Sequence, residues 1–588
     1  MKVPFKRKES TIKKKKKKLN EKEVKTLKIA FNILALFCII IFSMSLVQKT
    51  FQNDTFYTIK IGQLIRTNGI DYIDHFSWHN LPYLYPHWLY DVITSLVYDF
   101  AGGFAGVYGL TVILSAILGI TTYLANKKIS KNEVVSFVLT MGQMYLMGDY
   151  IAARAQLVTF ILFELTIIFI EKFLEKPKKR YAIGLIIIPI LIANIHSAVF
   201  PFYFILYLPY LGEYIISVLV DAHLPHKIYK IYLNRAIKKT NKKLKNLTEK
   251  DQVEKYQTKI ANLNKQIEKS NTNFEKFIIK QNDRRKNPYR LRIEKNDNVL
   301  KLFIIMVICI FTGLLTPLKD MPYTYTWRIM QGNTTQSISE HLPLTLIDDK
   351  PLLICLTLVI TLLMFTKVKI RLRDLFLIGG LTLLAFMSRR QVSMLVLFGG
   401  LVLGRILSEL IKVYDKKGTE EFMKYITTIP GEVLTIIIVL AISYCIYKPN
   451  FKAVYVSSKS YPTQAAKWIK ENLDYKDIRL YNDYNYGSYL LFEDIPVFID
   501  SRCDLYTPEF NGEYDKDKKK YVGQDIFSDF INISTISTYY DTKFSEYDIT
   551  HVMTKTNSKL HMLISRDKKY KEIYKDDCFT IYEINRAE

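Results

Sequence analysis

The stretch IAFNILALFCIIIFSMSLVQ, residues 29–48, decides the architecture of this chain. Its nearly unbroken apolar sequence is long enough to cross a bilayer as one helix. A Lys-rich leader precedes it, because residues 1–28 carry 13 Lys or Arg and only 3 acidic residues. The run is longer than the apolar region of a secretory signal peptide and has no convincing cleavage site after it. We therefore interpret it as a retained signal anchor whose amino terminus stays in the cytoplasm.

Further apolar runs of similar length follow along the 588 residues. They lie at about 104–125, 133–148, 156–172, 182–199, 201–220, 299–317, 351–366, 373–388, 391–411 and 430–447. The fold class predicted from them is a mostly α polytopic membrane protein with about 11 transmembrane helices. A soluble enzyme is excluded by the same pattern.

The charge is concentrated in two blocks beside these runs. The chain has 82 Lys and Arg against 56 Asp and Glu, a net charge of +26, of which residues 1–28 supply +10 and residues 221–297 supply +12. Basic loops next to apolar spans are retained in the cytoplasm, and with the amino terminus inside every basic loop falls on that side. We expect no nucleic-acid partner, since the rest of the chain is nearly balanced.

This orientation divides the chain into five parts. They are a basic cytoplasmic tail (1–28), a first membrane module (29–220) with an outer loop (49–103), a cytoplasmic insertion (221–297), a second membrane module (298–448) and an exported segment (449–588).

The insertion has a heptad seam over residues 253–267, which predicts a helical, coiled-coil-like hairpin or a contact with a second copy or a partner protein. A solvated helical insertion without function explains it equally well. The exported segment alternates short apolar strands with helices, which predicts a small α/β domain. Its Cys503 and Cys578 could form a disulfide outside the cell, although the sequence cannot pair them.

Ionisable residues gather at the outer ends of the predicted spans. Asp54 follows the first span and Asp149 ends the third, where a carboxylate could act as a general base or help to hold a divalent metal such as Mg or Mn. Each could equally be an ordinary polar residue at a helix end. Arg154, Arg389 and Arg390 lie in short outer turns close to the hydrocarbon, where a charge is costly unless it is paired or functional. Guanidinium groups suit phosphate, so we expect them to bind the phosphate of a lipid-linked substrate. Pairing to Asp149 or to lipid head groups is the alternative.

Four further polar residues belong to the same outer edge, as candidates for an acceptor or loop site: Asp74, His79, His87 and His196. A single histidine near a membrane edge is more often structural than catalytic, and we favour that interpretation for His196.

Several stretches resemble the polytopic C-type glycosyltransferases, the GT-C superfamily, and within it a bacterial group with a C-terminal exported α/β domain. They are GQLIRTNGIDYIDHFSWH (62–79), ARAQ (153–156), ANIHSAVF (193–200), YNYGSYLLF (484–492) and PVFIDSRCDLY (496–506). The resemblance covers most of residues 29–588. It implies a multi-pass protein of the bacterial plasma membrane that takes a sugar from a polyprenyl-phosphate donor and gives it to an exported glycan, lipid or protein acceptor.

By this resemblance Asp54 is the base, Asp149 the second acidic position, and Arg154 with Arg389 or Arg390 the phosphate contacts. The outer loop has no DxD or ExD doublet, and His87 stands where a Glu before WL is expected. Metal dependence and retained catalysis are therefore left open.

Two questions remain open from the sequence. Asp500, Arg502 and Asp504 could face a groove that binds a polar glycan, or could form an internal salt bridge. The chain as a whole could instead be a catalytically inactive scaffold or glycan-binding subunit, or, less favoured, a flippase or polymerase of lipid-linked glycans.

Overall fold

The structure is a computed structural model that describes residues 21–245, 249–286, 291–332, 334, 338, 340–345, 350–366, 368–415 and 418–585. Most of the basic tail predicted over 1–28 lies outside the described residues.

Residues 21–447 are mostly helical, and each apolar run marked in the sequence contains a helix. The helices are α1 (Glu21–Ser45), α2 (Asn53–Asn68), α3 (Trp88–Phe100), α4 (Phe104–Ser130), α5 (Glu133–Leu146), α6 (Ala155–Glu175), α7 (Lys179–Ile195), α8 (Phe200–Ile205), α9 (Leu208–Ala222), α10 (Leu224–Leu244), α11 (Lys250–Lys286), α12 (Asn298–Ile310), α13 (Met321–Gln331), α14 (Lys350–Phe365), α15 (Leu372–Met387), α16 (Val392–Met394), α17 (Gly400–Tyr414), α18 (Gly418–Ile426) and α19 (Ile429–Tyr447). A π-helical turn, Leu395–Gly399, joins α16 to α17.

Within the described part of the chain, five helical segments are long and apolar enough to cross a membrane. They are Lys22–Ser45, Phe104–Ser130, Ser197–Val220, Arg389–Tyr414 and Ile429–Phe451. Asn298–Leu314 and Leu352–Phe365 are shorter apolar helices. Many apolar side chains on these helices face outward, such as Ile33, Ile113 and Ile429. A helix with an outward apolar face fits a lipid environment.

The insertion consists of α10 and α11, which lie against each other. His226 near the start of α10 stacks on Phe274 in the later half of α11, with ring centroids 4.1 Å apart. The two helices therefore run antiparallel. Strands β1 (Leu291–Arg292) and β2 (Ile370–Arg371) pair in parallel, which ties the end of the insertion to the loop before α15.

The C-terminal segment surrounds a four-stranded mixed sheet. Its elements are α20 (Thr463–Asn472), β3 (Leu480–Tyr481), α21 (Tyr484–Phe492), α22 (Pro508–Asn511), β4 (Glu513–Asp515), β5 (Lys520–Val522), α23 (Ile526–Thr535), α24 (Tyr540–Glu546), β6 (His551–Lys555), α25 (Lys559–Ile564), β7 (Tyr570–Lys575) and β8 (Phe579–Ile584). The strand order is β3-β6-β8-β7, in which β3 and β6 are parallel and the other pairs antiparallel. Strands β4 and β5 form a separate antiparallel hairpin.

The first outer loop and the C-terminal segment share one apolar core. Phe56 and Tyr85 of the loop belong to the same buried cluster as Phe498 and Val552 of the C-terminal segment. The backbone continues this contact, because the amide of Val497 donates to the carbonyl of Phe76 over 3.1 Å. The outer loop is thus a folded layer between the helical bundle and the sheet, and this layer positions the site described next.

Helices α2 and α3 form the base of this layer. Gly62 permits their close approach, since a Cβ atom added there would lie 2.0 Å from the carbonyl oxygen of Asp91. Any larger residue would force the two helices apart.

Candidate functional site

Asp54 and Arg154 form an ion pair at the rim of the bundle. Asp54 lies in the first turn of α2, and Arg154 directly precedes α6. The Nη2 atom of Arg154 lies 2.8 Å from Oδ2 of Asp54, and the Nη1 atom of Arg154 lies 3.8 Å from Glu340. Its Nε atom is buried and has no hydrogen-bond partner among the described residues. The guanidinium of Arg154 therefore retains a donor that a ligand could use.

A cavity of about 260 Å³ lies beside this ion pair. Its lining comes from four separate segments of the chain and is Gln52, Asp149, Tyr150, Ala152, Arg154, Gln156, Glu340, Arg389 and Arg390. Asp149, Arg154, Arg389 and Arg390 thus meet at one cavity, with Asp54 in contact through Arg154. The lining carries three guanidinium groups against the two carboxylates of Asp149 and Glu340. Because Asp54 pairs with Arg154, three carboxylates balance these three guanidinium groups, and it is the hydrogen-bond donors of the guanidinium groups that suit a phosphate.

Backbone hydrogen bonds fix the two arginines of the later turn. The amides of Arg389 and Arg390 donate to the carbonyls of Leu342 and Glu340, each over 3.0 Å. Tyr150 donates its hydroxyl to the Arg389 carbonyl over 3.3 Å, which joins this turn to the turn of Asp149.

A larger cavity of about 680 Å³ adjoins the polar one, since Asp149 and Tyr150 line both. Apolar side chains from several helices form much of its wall, among them Leu46, Leu352 and Val396. A polar cavity that opens onto a partly apolar one can accept a molecule with a charged head and an apolar tail.

His87 and His196 lie together behind the arginines, with ring centroids 5.1 Å apart. Burial lowers the pKa of His87 to about 4, and the positive charges of Arg390 and Arg154 act in the same direction while Asp54 opposes them. His87 is therefore a neutral imidazole at physiological pH. His196 is held by Thr159, whose hydroxyl lies 2.9 Å from Nδ1.

Residues of the C-terminal segment face the same rim. Tyr325 donates its hydroxyl to Asp504 Oδ2 over 2.6 Å, and Asn53 donates its side-chain amide to the carbonyl of Tyr484 over 2.8 Å. Burial raises the pKa of Asp504, although the hydrogen bond from Tyr325 and the charge of Arg390 oppose this shift. Tyr325, Tyr484 and Glu340 were not predicted as site residues, because no charge at a membrane edge and no catalytic motif marks them individually.

Asp74, Asp500 and Arg502 form a separate buried cluster. Arg502 donates from Nη1 to Asp74 over 2.7 Å and from Nε and Nη2 to Asp500 over 2.9 and 2.6 Å. Tyr506 donates its hydroxyl to Asp500 over 2.6 Å. The observed contacts are those of an internal salt bridge, one of the two alternatives, and they join the outer loop to the C-terminal segment. Asp504 is apart from this cluster and bonds Tyr325 instead.

His79 belongs to the same interface. Its Nε2 lies 2.9 Å from the carbonyl oxygen of Phe498, so Nε2 carries the hydrogen, and its ring contacts that of Trp78. Burial lowers the pKa of His79 to about 4.

The described residues do not gather three or more His, Cys, Asp or Glu side chains in a group that could hold a metal ion. Asp54, one of the two candidate metal ligands, is engaged by Arg154. Cys503 and Cys578 are both free thiols. No protein-family model matches the chain, and no curated protein matches it.

Proposed function

We propose that the chain is a membrane glycosyltransferase of the C-type, which moves a sugar from a polyprenyl-phosphate donor to an extracytoplasmic glycan, lipid or protein acceptor. The observation that carries the proposal is the convergence of Asp149, Arg154, Arg389 and Arg390 on one cavity, with Asp54 paired to Arg154 beside it. These residues come from three distant parts of the chain, around Asp54, around Asp149 with Arg154, and around Arg389 with Arg390.

The proposed topology has eleven spans, with the amino terminus in the cytoplasm of a bacterial cell and residues 449–588 outside. The positions of the charges support it. The rim cavity lies at the end of the bundle that carries the C-terminal segment, whereas Lys128, Lys131 and Arg371 lie together around a cavity formed by the opposite helix ends. Cationic loops gather on the cytoplasmic side of membrane proteins.

In the proposed reaction the acceptor hydroxyl attacks the anomeric carbon of the donor sugar. A new bond forms between the acceptor oxygen and this carbon, and the bond from the carbon to the phosphate oxygen breaks. Asp54 takes the hydroxyl proton, and the electron pair stays on the phosphate, where Arg389 and Arg390 stabilise it. Arg154 Nη2 contacts Oδ2 of Asp54, and we propose that the acceptor hydroxyl approaches the other carboxylate oxygen.

The adjoining cavity supports a donor with an apolar tail. Its wall from Leu46, Leu352 and Val396 lies next to the three arginines, since Asp149 and Tyr150 belong to both cavities. We propose that the polyprenyl chain leaves the polar cavity through this space toward the lipid.

A scaffold or glycan-binding subunit is the second candidate. The ion pair between Asp54 and Arg154 favours it, because the carboxylate of Asp54 is already engaged by a guanidinium group. In that case residues 221–297 and the C-terminal segment would recruit partner proteins.

The lipid that copurifies with the full-length chain tests the proposal. We expect mass spectrometry of lipids extracted from the purified protein to find about one polyprenyl-phosphate species per chain, and an Arg390→Gln variant to lose most of it. Arg479→Gln is the matched control, because Arg479 is partly exposed on the C-terminal segment and pairs with Asp548 away from the cavity. A wild-type protein free of such lipid, with partner proteins bound, would favour the scaffold.

A further inference from the structure

The helix ends opposite the rim enclose another cavity, which has a volume of about 1470 Å³. Its wall is formed by the ends of α4, α6 and α9, by α11 and residues 291–296 of the insertion, by the loop before α15 with the first turn of that helix, and by the later part of α17. The volume exceeds that of the rim cavity several-fold, and nothing in the proposed transfer reaction uses it.

The lining of this cavity is strongly basic. Nine Lys or Arg residues face it, against the four glutamates Glu171, Glu175, Glu294 and Glu409. Retention of basic loops in the cytoplasm explains lysines on a flat surface, but it does not require them to converge around a concave space. A concave site lined by one sign of charge concentrates ligands of the opposite sign.

The floor contains a buried arginine that is loosely held. The side chain of Arg373 is 9% exposed, and its nitrogens lie 3.5 Å from Glu213, 3.6 Å from Glu294 and 4.0 Å from Glu171. Its Nε atom has no hydrogen-bond partner in the described part of the chain. Arg405 nearby is held much more closely, since its Nη1 donates to both oxygens of Asp374 over 2.6 and 2.5 Å. Carboxylates outside the lining, Glu213 and Asp374, thus add to the neutralisation of the floor, and the solvent-exposed cations of the cavity lie at its mouth.

The mouth of this basic cavity includes Lys369 and Lys412 together with an apolar wall. The side chain of Lys412 is 54% exposed, and among the described residues it pairs with the neighbouring Glu409 at 3.3 Å. Ile129, Leu174 and Val220 supply apolar surface beside these lysines. The wall is anchored, because Asn296 and Asn298 both donate side-chain amides to the carbonyl of Leu174 over 3.1 Å.

We propose that this cavity binds a phosphate group on the cytoplasmic side, carried by an anionic amphiphile of the inner leaflet. The lysines at the mouth of the cavity recognise the phosphate, and the apolar wall accommodates the chains of the lipid. The site depends on the orientation proposed above but not on the transfer reaction, so it holds whether the chain is an enzyme or a scaffold.

Native mass spectrometry of the full-length protein in detergent tests the proposal, with phosphatidylglycerol as the anionic probe, phosphatidylcholine as the zwitterionic one, and inorganic phosphate as a soluble competitor. We expect the protein to retain phosphatidylglycerol and not phosphatidylcholine. A Lys369→Glu/Lys412→Glu variant should bind it about 30-fold more weakly or worse, because the loss of each cation near an anionic lipid weakens binding about fivefold. Displacement of the lipid by millimolar phosphate would identify free phosphate as the ligand of the same site.

The control is Lys176→Glu/Lys424→Glu, which makes the same change of charge on the same side of the bundle but outside the cavity. Equal binding of phosphatidylglycerol by the two double variants would overturn the proposal, and so would equal retention of the two lipids by the wild type. A Lys369→Gln/Lys412→Gln variant covers the case in which charge reversal prevents folding. Loss of polyprenyl phosphate on Arg390→Gln reports on the rim cavity alone, so failure of one site is distinguishable from failure of the other.

Discussion

Replacement of Asp500 by Asn should detach the C-terminal segment from the outer loop. Asp500 accepts four hydrogen bonds, from the backbone amide, Nε and Nη2 of Arg502 and from the hydroxyl of Tyr506. The side chains of Asp500 and Asp74 are fully buried, and that of Arg502 is 3% exposed. Removal of one partner from a buried ion pair costs about 3 to 5 kcal/mol, because the remaining charge is left without full compensation.

The expected change in melting temperature follows from the size of the affected layer. The outer loop and the C-terminal segment together form a unit of roughly 190 residues, for which 1 kcal/mol corresponds to about 2 to 4 °C. We therefore expect Asp500→Asn to lower the unfolding temperature of this layer by roughly 6 to 20 °C.

Tryptophan fluorescence during heating of the detergent-solubilised protein measures this shift, since Trp78 lies in the interface between the two parts. Asp548→Asn is the control, because Asp548 forms an exposed ion pair with Arg479 and should contribute less than about 1 kcal/mol. An Asp500→Asn protein that melts within the range of the control would refute the structural role of the cluster.

Three further outcomes are expected. The pKa of His79 is about 4 in the folded protein, below its ordinary value of 6.5. The unfolded chain therefore binds a proton at a higher pH than the folded protein does, and the free energy of unfolding decreases as the pH falls from 6.5 toward 4. We expect the outer layer to lose about 2 to 3 kcal/mol more between pH 7 and pH 4.5 in the wild type than in His79→Gln, measured by urea unfolding at each pH; equal losses would contradict this. The Asp54→Asn variant should keep the bound donor but transfer its sugar at least about 100-fold more slowly, as measured by the release of polyprenyl phosphate. An unchanged rate of transfer would contradict the assignment of Asp54 as the base. Gly62→Ala should lower the yield and melting temperature of the folded protein, because the added methyl overlaps the carbonyl of Asp91; unchanged values would show that α2 and α3 can separate.

The helical positions and the charged residues Asp149, Arg154, Arg389 and Arg390 of the rim cavity could be predicted from the sequence for a physical reason. Apolar runs mark helices directly, and charge at the short turns around Arg154 and Arg389 is costly enough to be informative by itself. Once the spans are ordered, the topology alone brings these turns to the same end of the bundle.

The partners of these residues could not be predicted in the same way. Arg502 meets Asp74 from 428 positions away in the chain, and Tyr325 meets Asp504 from 179. Such pairs depend on how the C-terminal segment packs on the outer loop, and no periodicity records it. The apolar core that the outer loop shares with the C-terminal segment could not be predicted for the same reason. The strand patterns of the C-terminal segment indicated only a small α/β domain.

The cavity around Lys369 and Lys412 was hidden for another reason. Its lysines and arginines are individually ordinary residues near the ends of helices that the sequence predicts to be cytoplasmic, and the packing of several helix ends and loops makes them face one space.

An experimental structure of the full-length protein in a lipid nanodisc, with added short-chain polyprenyl phosphate, tests the central claim most directly. The account predicts phosphate density between Arg154, Arg389 and Arg390, with the chain following the cavity lined by Leu46 and Val396. Phosphate density at any other place on the bundle, with the arginine cavity filled by solvent alone, would contradict it.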